Sequence, residues 1–201
     1  MSSHAATVLF VGDSHSVGPF GQTLDQNLRD GGHQVATYAS CGSIPKWWTT
    51  GQETPCGFFS RDLQGTKVQV TKAPTPIMDR LLQDIKPDVV VMEFGGNYLN
   101  IPSDDYVKKD IATFIAKVKA AGAACFYITN PDTRINRAAI PRILGLIKEA
   151  VGNECPIFES HLATNYPETG GDGIHYWSSW GTPIANRWAN KAFEAFKIHW
   201  K

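Results

Sequence analysis

The sequence of 201 residues has no excess charge of either sign, because 19 lysine and arginine side chains balance 19 aspartate and glutamate side chains. A chain without net charge has no field that would draw it to nucleic acid or to an anionic membrane. We therefore expect a small or neutral molecule as its ligand and no nucleic-acid partner. The sequence leaves the oligomeric state open.

Long apolar runs are also missing. The longest uncharged apolar stretches, residues 7–11 and 89–92, are far shorter than the roughly 20 residues of a membrane-spanning helix. We therefore expect no integral membrane segment. A strand-like TVLFV run follows the first six residues closely, which leaves no room for the charged and apolar regions of a signal peptide. The protein is then either cytoplasmic, or its sequence begins after a removed signal.

The four cysteines contain no Cys-x-x-Cys pair, so their spacing does not indicate a zinc site. Cys41 and Cys56 bracket a loop of about 15 residues, and a disulfide there would contribute on the order of 3 kcal/mol. Cys125 opens one predicted strand and Cys155 precedes the next, so neighbouring parallel strands would place them side by side. Four cysteines allow three pairings, and reduced cysteines are the alternative. We expect these two disulfides and, with them, a periplasmic or extracellular location.

Apolar periodicity predicts strands that alternate with helices. The predicted strands are residues 7–12, 34–39, 88–94, 123–129 and 156–158, and the predicted helices are residues 19–30, 77–85, 103–121, 138–151 and 180–197. Ser103 is the expected N-cap of the third helix. This alternation is typical of an α/β fold in which helices cover both faces of a parallel sheet. We expect one domain over residues 1–201, since 42% hydrophobic residues suffice for one core.

One long stretch, from about residue 40 to 76, is rich in glycine, proline, threonine and tryptophan and has no sustained period. A loop of that length inside a compact domain is usually functional or held by a disulfide. We therefore predict a long functional loop here.

Polar and glycine-rich segments follow the predicted strands. In parallel sheets, functional groups collect at the carboxyl ends of the strands. The segments, in chain order, are Gly12-Asp13-Ser14-His15-Ser16, Ser40-Cys41-Gly42, Gly95-Gly96-Asn97-Tyr98, Asn130-Pro131-Asp132 and Asp172-Gly173-Ile174-His175. We expect these segments to share one rim of the sheet.

These rim residues fit nucleophilic catalysis. A serine hydroxyl needs a base to take its proton, and His175 can serve Ser14 in this way, with Asp172 fixing the imidazole tautomer. The backbone N–H groups of Ser14 and Gly42 and the amide of Asn97 can stabilise an oxyanion. Taken singly, each group has a plainer interpretation: an N-cap aspartate, a surface histidine, a turn glycine and a loop asparagine.

Taken together and in this order, the segments resemble the SGNH (GDSL-like) hydrolases over nearly the whole chain. The matching blocks are GDS at 12–14, Gly42, GGN at 95–97 and DGIH at 172–175. The resemblance implies a flavodoxin-like three-layer α/β/α sandwich with a five-stranded parallel sheet. It also implies a serine ester hydrolase without metal or cofactor, with Ser14, Asp172 and His175 as triad and Ser14, Gly42 and Asn97 as oxyanion hole.

The sequence departs from the family pattern at two positions. Tyr98 stands where an acid commonly follows the asparagine, and the first block is GDSH instead of GDSL. His15 looks like the variant in carbohydrate O-acetylesterases and O-acetyltransferases, although a solvated residue at a helix start is the alternative. Ser16 is a rival nucleophile. No Gly-x-Ser-x-Gly occurs, so the nucleophile elbow of the α/β-hydrolases has no support.

The expected substrate is an ester of a short acyl group, acetyl above all, because the sequence contains no long apolar lid for a fatty chain. Four tryptophans lie in two rim segments, and sugar rings stack on exposed indoles, so we expect a carbohydrate or cell-wall glycan ester. The predicted substrate-binding residues are Trp47, Trp48, Trp177, Trp180 and His15. The structural alternative for each tryptophan is that it packs in the hydrophobic core. If a sugar hydroxyl replaces water, the same residues make an O-acetyltransferase.

Two hypotheses from other classes stay open. A metallophosphatase would use Asp13, His15, Asn97 and His175 as metal ligands, although a further bridging aspartate and a late His-x-His are missing. A non-catalytic glycan-binding module would use the tryptophans, but binding alone gives no reason to combine Ser14 with His175.

Overall fold

The structure is a computed structural model that describes residues 5–200. The first four residues, part of the short N-terminal stretch considered above, lie outside the described residues. The strands are β1 (Thr7–Gly12), β2 (Gln34–Ser40), β3 (Glu53–Thr54), β4 (Phe58–Arg61), β5 (Lys67–Val70), β6 (Ala73–Pro74), β7 (Val89–Glu93), β8 (Ala124–Ile128) and β9 (Ile157–Phe158). The helices are α1 (Ser14–Val17), α2 (Pro19–Asp30), α3 (Trp47–Thr50), α4 (Met78–Ile85), α5 (Asp104–Ala120), α6 (Ile140–Val151) and α7 (Gly181–His199).

The main sheet has the strand order β5-β4-β2-β1-β7-β8-β9. Its last five strands in that order are mutually parallel, which confirms the predicted α/β fold with a five-stranded parallel core. Counting only the parallel strands, the chain order is 2-1-3-4-5, the flavodoxin-like arrangement. The order reverses between β1 and β7, so the crevice for a ligand is expected at the carboxyl ends of those two strands.

Two apolar clusters make the three layers. Side chains alternate along a strand, so Val8 and Phe10 of β1 face one side of the sheet while Leu9 and Val11 face the other. The first side packs against α2 and α7, and the second packs against α4, α5 and α6. Both faces of β1 and β7 are thus buried, which is why their sequences are mostly apolar, with Glu93 at the end of β7 as the exception.

The helix ends follow the local sequence. The Ser103 hydroxyl accepts a hydrogen bond from Tyr106 N at 3.3 Å, which confirms the predicted N-cap of α5. The sixth helix begins at Ile140, two residues later than predicted, because residues 137–139 form a separate 3-10 turn. Pro141 lies in the first turn of α6, where its missing N–H is not needed.

The stretch from about 40 to 76 is not an irregular loop throughout, and this expectation is corrected. It contains α3 and four short strands, of which β4 and β5 form a hairpin that extends the main sheet antiparallel to β2. The other two, β3 and β6, pair with each other. Strands of two to four residues are too short to show a period, and β5 is exposed along its length, so no alternation of burial marks it.

Both predicted disulfides are present. Cys41, just after β2, is bonded to Cys56, with 5.5 Å between their Cα atoms. Cys125 of β8 is bonded to Cys155, which precedes β9, with 5.0 Å between the Cα atoms. The first disulfide holds the segment before β4 against the carboxyl end of β2, and it thereby fixes one wall of the rim. In the described part of the chain, no helix has the length and apolarity to cross a membrane.

Candidate active site

The predicted nucleophile lies at the carboxyl end of the central strand. The first strand ends at Gly12, and α1 begins at Ser14. Asp13 caps this helix, because its Oδ1 accepts a hydrogen bond from His15 N at 3.0 Å. A side chain at position 12 would collide with Ser16, so glycine lets the strand turn tightly into the helix. This turn presents Ser14 at the rim.

Three predicted catalytic side chains form one hydrogen-bonded chain. The Ser14 Oγ atom lies 3.0 Å from Nε2 of His175. On the other side of the imidazole, Nδ1 lies 2.6 Å from Oδ2 of Asp172. Because an ionised carboxylate can only accept a hydrogen bond, Nδ1 carries the proton and donates the hydrogen bond to Asp172. The lone pair of Nε2 then faces the serine hydroxyl, which is the arrangement that a general base needs.

Asp172 is kept ionised by its hydrogen bonds. Burial acts to raise its pKa, but the N–H of His175, the imidazole and the N–H of Ile174 outweigh that effect and lower the pKa to about 2. The two backbone N–H groups donate to Oδ1 at 2.7 and 2.9 Å, which leaves Oδ2 for the imidazole. The carboxylate is therefore charged and correctly oriented at neutral pH.

Asn97 is held against the two segments that carry the other predicted oxyanion donors, Ser14 and Gly42. After β7, the chain turns through a 3-10 helix over Gly96–Tyr98. The Asn97 amide nitrogen donates to Asp13 Oδ2 at 3.2 Å and to the carbonyl of Ser43 at 2.9 Å. Asp13 immediately precedes Ser14, and Ser43 immediately follows Gly42, so these contacts hold the Asn97 amide next to both segments and engage both of its N–H groups.

Solved structures share this architecture. A peptidoglycan O-acetylesterase superposes with a TM-score of 0.64 at 12% identity, covering 98% of this chain and 92% of that chain. An acetyl xylan esterase superposes with a TM-score of 0.60 at 15% identity, covering 94% and 98%. A GDSL-like lipase from Bacteroides thetaiotaomicron superposes with a TM-score of 0.55 at 15% identity, covering 96% and 92%. The chain has the SGNH hydrolase fold. No family model and no curated protein matches the sequence.

On this SGNH fold, the position commonly held by an acid after the asparagine has a structural role. Tyr98 is fully buried, and its hydroxyl donates to Oδ2 of Asp110 in α5 at 2.6 Å. The contact ties the rim segment after β7 to a helix of the outer layer. At this position the chain therefore has a buried, hydrogen-bonded tyrosine in place of a carboxylate.

A buried carboxyl pair beneath the nucleophile was missed by the sequence analysis. Asp13 and Glu93 have 1% and 0% exposed surface. Burial raises the pKa of Glu93 well above its usual range, and the negative charge of Asp13 raises it further. Burial also raises the pKa of Asp13 to about 6, opposed by hydrogen bonds from His15 and Glu93. Glu93 is therefore the more readily protonated of the two carboxyl groups, and Asp13 accepts the hydrogen bond from Asn97.

The carboxyl pair predicts how stability changes with pH. The folded pKa values of both groups lie above their ordinary values of 3.8 and 4.5. The folded state thus holds protons that the unfolded chain has released, so this contribution to stability falls as pH rises through the folded values. In Glu93→Gln, which keeps a neutral side chain, we expect the decline between pH 5 and pH 8 to be smaller. Denaturant unfolding at both pH values measures it.

The matched control for this experiment is Glu53→Gln, which replaces an exposed glutamate in β3. Its pH dependence should parallel that of the native protein. His15 also titrates differently in the folded and unfolded states, but it does so in every variant. The difference in pH dependence of the unfolding free energy between the native protein and Glu93→Gln therefore reports on Glu93. Parallel curves for the native protein and Glu93→Gln would contradict the raised pKa of Glu93.

Ser16, the rival nucleophile, belongs to the same buried layer. It has no exposed surface, and its hydroxyl donates to Glu93 Oε2 at 2.9 Å. The hydroxyl therefore faces the carboxyl pair, while Ser14 faces the imidazole. The geometry favours Ser14.

His15 does not lie where a substrate could touch it, and its predicted substrate-binding role is corrected. The ring is 3% exposed and lies behind His175, with 5.4 Å between ring centroids, and against the edge of Trp188. Burial, and then the neighbouring His175, lower the pKa of His15 to about 3, so the ring is neutral. One residue along a helix turns a side chain by about 100°, which carries His15 into the core.

The four tryptophans separate into different environments. Trp48 is fully buried in the core, and its indole N–H donates to Ser43 Oγ at 3.2 Å, so it is removed from the substrate-binding set. Trp180 is half-buried and packs edge-on against Tyr166 and Tyr176. Trp47 is half-buried beside Gly42. Trp177 is 41% exposed and stacks on His175, with ring centroids 4.2 Å apart.

The residues proposed as metal ligands do not form a cluster. Within residues 5–200, no three histidine, cysteine, aspartate or glutamate side chains are arranged to hold a metal ion. Asp13 and His15 are buried and bond to neighbours in the protein. The metallophosphatase hypothesis therefore finds no ligand set among the described residues.

Tyr166 holds the loop that carries Asp172 and His175, and no feature of the sequence pointed to it. Its side chain is fully buried. The hydroxyl accepts a hydrogen bond from Gly173 N at 3.0 Å and lies 3.4 Å from Asp172 Oδ1 and 3.3 Å from the carbonyl of His175. Its backbone N–H donates to Asp132 Oδ2 at 2.7 Å. Tyr166 thus connects the loop of Asp172 and His175, through its hydroxyl, to the segment after β8, through its backbone N–H.

This role predicts the effect of Tyr166→Phe. The change leaves Gly173 N without its partner, so we expect kcat on a small aryl acetate to fall by about tenfold with little change in KM, because an unmade buried hydrogen bond costs about 1–3 kcal/mol. Steady-state kinetics and thermal melting measure the two effects. Tyr98→Phe is the matched control, since it removes another bonded, buried hydroxyl. It should lower the melting temperature without the selective fall in kcat; an equal fall in both variants would contradict the positioning role.

Proposed function

We propose that this protein is a serine ester hydrolase that removes short acyl groups, acetyl above all, from carbohydrate or cell-wall glycan esters. The observation that carries the proposal is the hydrogen-bonded chain from Ser14 through His175 to Asp172, at 3.0 and 2.6 Å, beside the Asn97 amide. Structural neighbours that include a peptidoglycan O-acetylesterase and an acetyl xylan esterase support the choice of acetyl and of carbohydrate.

The first half of the proposed reaction forms an acyl-enzyme. The Ser14 Oγ atom attacks the ester carbonyl carbon as Nε2 of His175 takes the hydroxyl proton. The negative charge on the carbonyl oxygen is stabilised by the backbone N–H groups of Ser14 and Gly42 and by an Asn97 amide N–H that turns to it from Asp13 or Ser43. The intermediate then collapses, the bond to the alcohol breaks, and the alcohol leaves with the proton from Nε2.

The second half restores the enzyme. Nε2 of His175 takes a proton from water, whose oxygen attacks the acyl carbon. The bond to Ser14 breaks as Oγ regains a proton, and the free acid leaves. Asp172 stays ionised throughout and stabilises the imidazolium in both halves. A sugar hydroxyl in place of water would give an O-acetyltransferase from the same residues.

A location outside the cytosol belongs to this proposal. Two disulfides support it, because such bonds persist in oxidising compartments. Acetylated cell-wall or plant polysaccharides would be encountered in a periplasmic or extracellular setting.

The test is a substrate panel read by release of free acid. It contains 4-nitrophenyl acetate, 4-nitrophenyl octanoate, acetylated xylan and O-acetylated peptidoglycan. We expect acetate release from the aryl acetate and from at least one glycan. We also expect kcat/KM for the acetate to exceed that for the octanoate by more than about tenfold, which corresponds to about 1.4 kcal/mol in activation free energy. Failure to hydrolyse any ester would contradict the activity, and a preference for octanoate would contradict the acyl class.

A further inference from the structure

A cleft of about 440 Å³ opens beside the candidate active site, and it is lined by Trp177 but by none of the predicted triad or oxyanion residues. We call it the α1–β5 cleft, because its walls include Val17 and Gly18 at the end of α1, Gln22 of α2, Gln69 of β5, Thr71 and Trp177. Val17 is three residues beyond Ser14, and Trp177 stacks on His175. The cleft therefore starts next to both the nucleophile and its base.

The position of Trp177 in the cleft is built into the fold. One face of its ring stacks on His175 at an interplanar angle of 26°. Its edge packs on Gly18, where an added Cβ would lie 2.2 Å from the indole nitrogen. Gly18 has φ of −86°, so its backbone does not require glycine; the close approach of the indole does. With 41% of its surface exposed, Trp177 still offers an aromatic face to the cleft.

The chemistry of the walls selects a class of ligand. None of the described residues that line the cleft is charged, so an ionic group would find no counter-charge there. The Gln22 amide nitrogen donates to Val17 O at 3.1 Å, which fixes that side chain and leaves its Oε1 to accept from a ligand. Gln69 and Thr71 are exposed on the opposite wall. Amide and hydroxyl groups around an indole suit a polyhydroxylated ring better than a hydrocarbon chain.

We propose that the α1–β5 cleft binds a neutral sugar ring of the ester's alcohol portion, stacked on Trp177 and hydrogen-bonded by Gln22, Gln69 and Thr71. This inference rests on the proposed function, which supplies the ester whose alcohol portion would lie in the cleft. It adds which residues hold the sugar and that the sugar is uncharged.

The first test measures binding without turnover, so it does not depend on the esterase activity. Calorimetry with the Ser14→Ala variant uses neutral xylotetraose and chitotetraose, acidic tetragalacturonate and decanoate as probes. We expect at least one neutral oligosaccharide to bind, and to bind at least about tenfold more tightly than the acidic one. Binding of neither neutral probe, or equal or tighter binding of tetragalacturonate or decanoate, would overturn the proposal.

The second test locates the ligand. In Gln69→Ala/Thr71→Ala, two hydrogen bonds are removed, each contributing about 0.5–1.5 kcal/mol, so the dissociation constant of the neutral probe should rise by about tenfold. The rate on 4-nitrophenyl acetate should stay unchanged, because neither residue touches the catalytic groups. Gln64→Ala, on the turn of the same hairpin, is the matched control and should change neither value. Unaltered binding in the double variant would place the sugar elsewhere, while a protein that binds sugar but hydrolyses no ester would refute the proposed function alone.

Discussion

Ser14→Ala is expected to lower the turnover of 4-nitrophenyl acetate by about 10⁴- to 10⁶-fold, as loss of the nucleophile does in serine hydrolases with a triad. The reason is the 3.0 Å contact between Ser14 Oγ and His175 Nε2, which gives this hydroxyl an imidazole base to take its proton. The fold should persist, because alanine removes one oxygen atom at the rim. Steady-state kinetics and a thermal melt of the purified variant measure both effects.

Ser16→Ala is the control for the nucleophile. Its hydroxyl donates to Glu93 instead of facing the imidazole, so its removal should change turnover by less than about tenfold, the scale of one buried hydrogen bond. If Ser14→Ala kept full activity while Ser16→Ala lost it, the nucleophile would have been assigned to the wrong serine.

The second large effect is expected at the base. His175→Ala should lower turnover by about 10⁴- to 10⁶-fold, because neither proton transfer has an acceptor without the imidazole. Asp172→Asn should cause a smaller loss, about 10²- to 10⁴-fold, since the carboxylate orients the ring and stabilises its charged form but takes no proton. The half-exposed carboxylate of Asp172 also lets water take over part of its role.

Both variants are compared on the same aryl acetate across pH 5 to 9. A larger loss in Asp172→Asn than in His175→Ala would contradict the assigned roles. An unchanged rate in Asp172→Asn would mean that another group holds the ring, and Tyr166 would be the first residue to replace in that background.

The fold could be predicted from the sequence because its parallel strands are apolar on both faces and its helices carry an apolar stripe. The antiparallel hairpin of β4 and β5 could not, since its strands are short and β5 is exposed. The order of the rim segments also predicted which side chains meet. The hydrogen bonds among Ser14, His175 and Asp172 agree with that expectation, while their catalytic roles stay predictions.

The other residues of the site could not be predicted from the sequence, each for its own physical reason. Glu93 was visible as an acidic residue in a strand expected to be buried on both faces, and that conflict was the available signal. Tyr166 lies in a segment without periodicity, so only the folded chain shows that its hydroxyl reaches Gly173. Trp47 and Trp48 are adjacent in the single turn of α3, and sequence alone does not say which of them enters the core.

The central claim, that Ser14 is the nucleophile, is tested most directly by mapping a covalent adduct. The protein is incubated with a serine-directed phosphonate, digested and examined by mass spectrometry. We predict one adduct per chain, located on Ser14, absent in Ser14→Ala and formed far more slowly in His175→Ala. An adduct on Ser16 or on any other residue, or undiminished labelling of Ser14→Ala, would contradict the account.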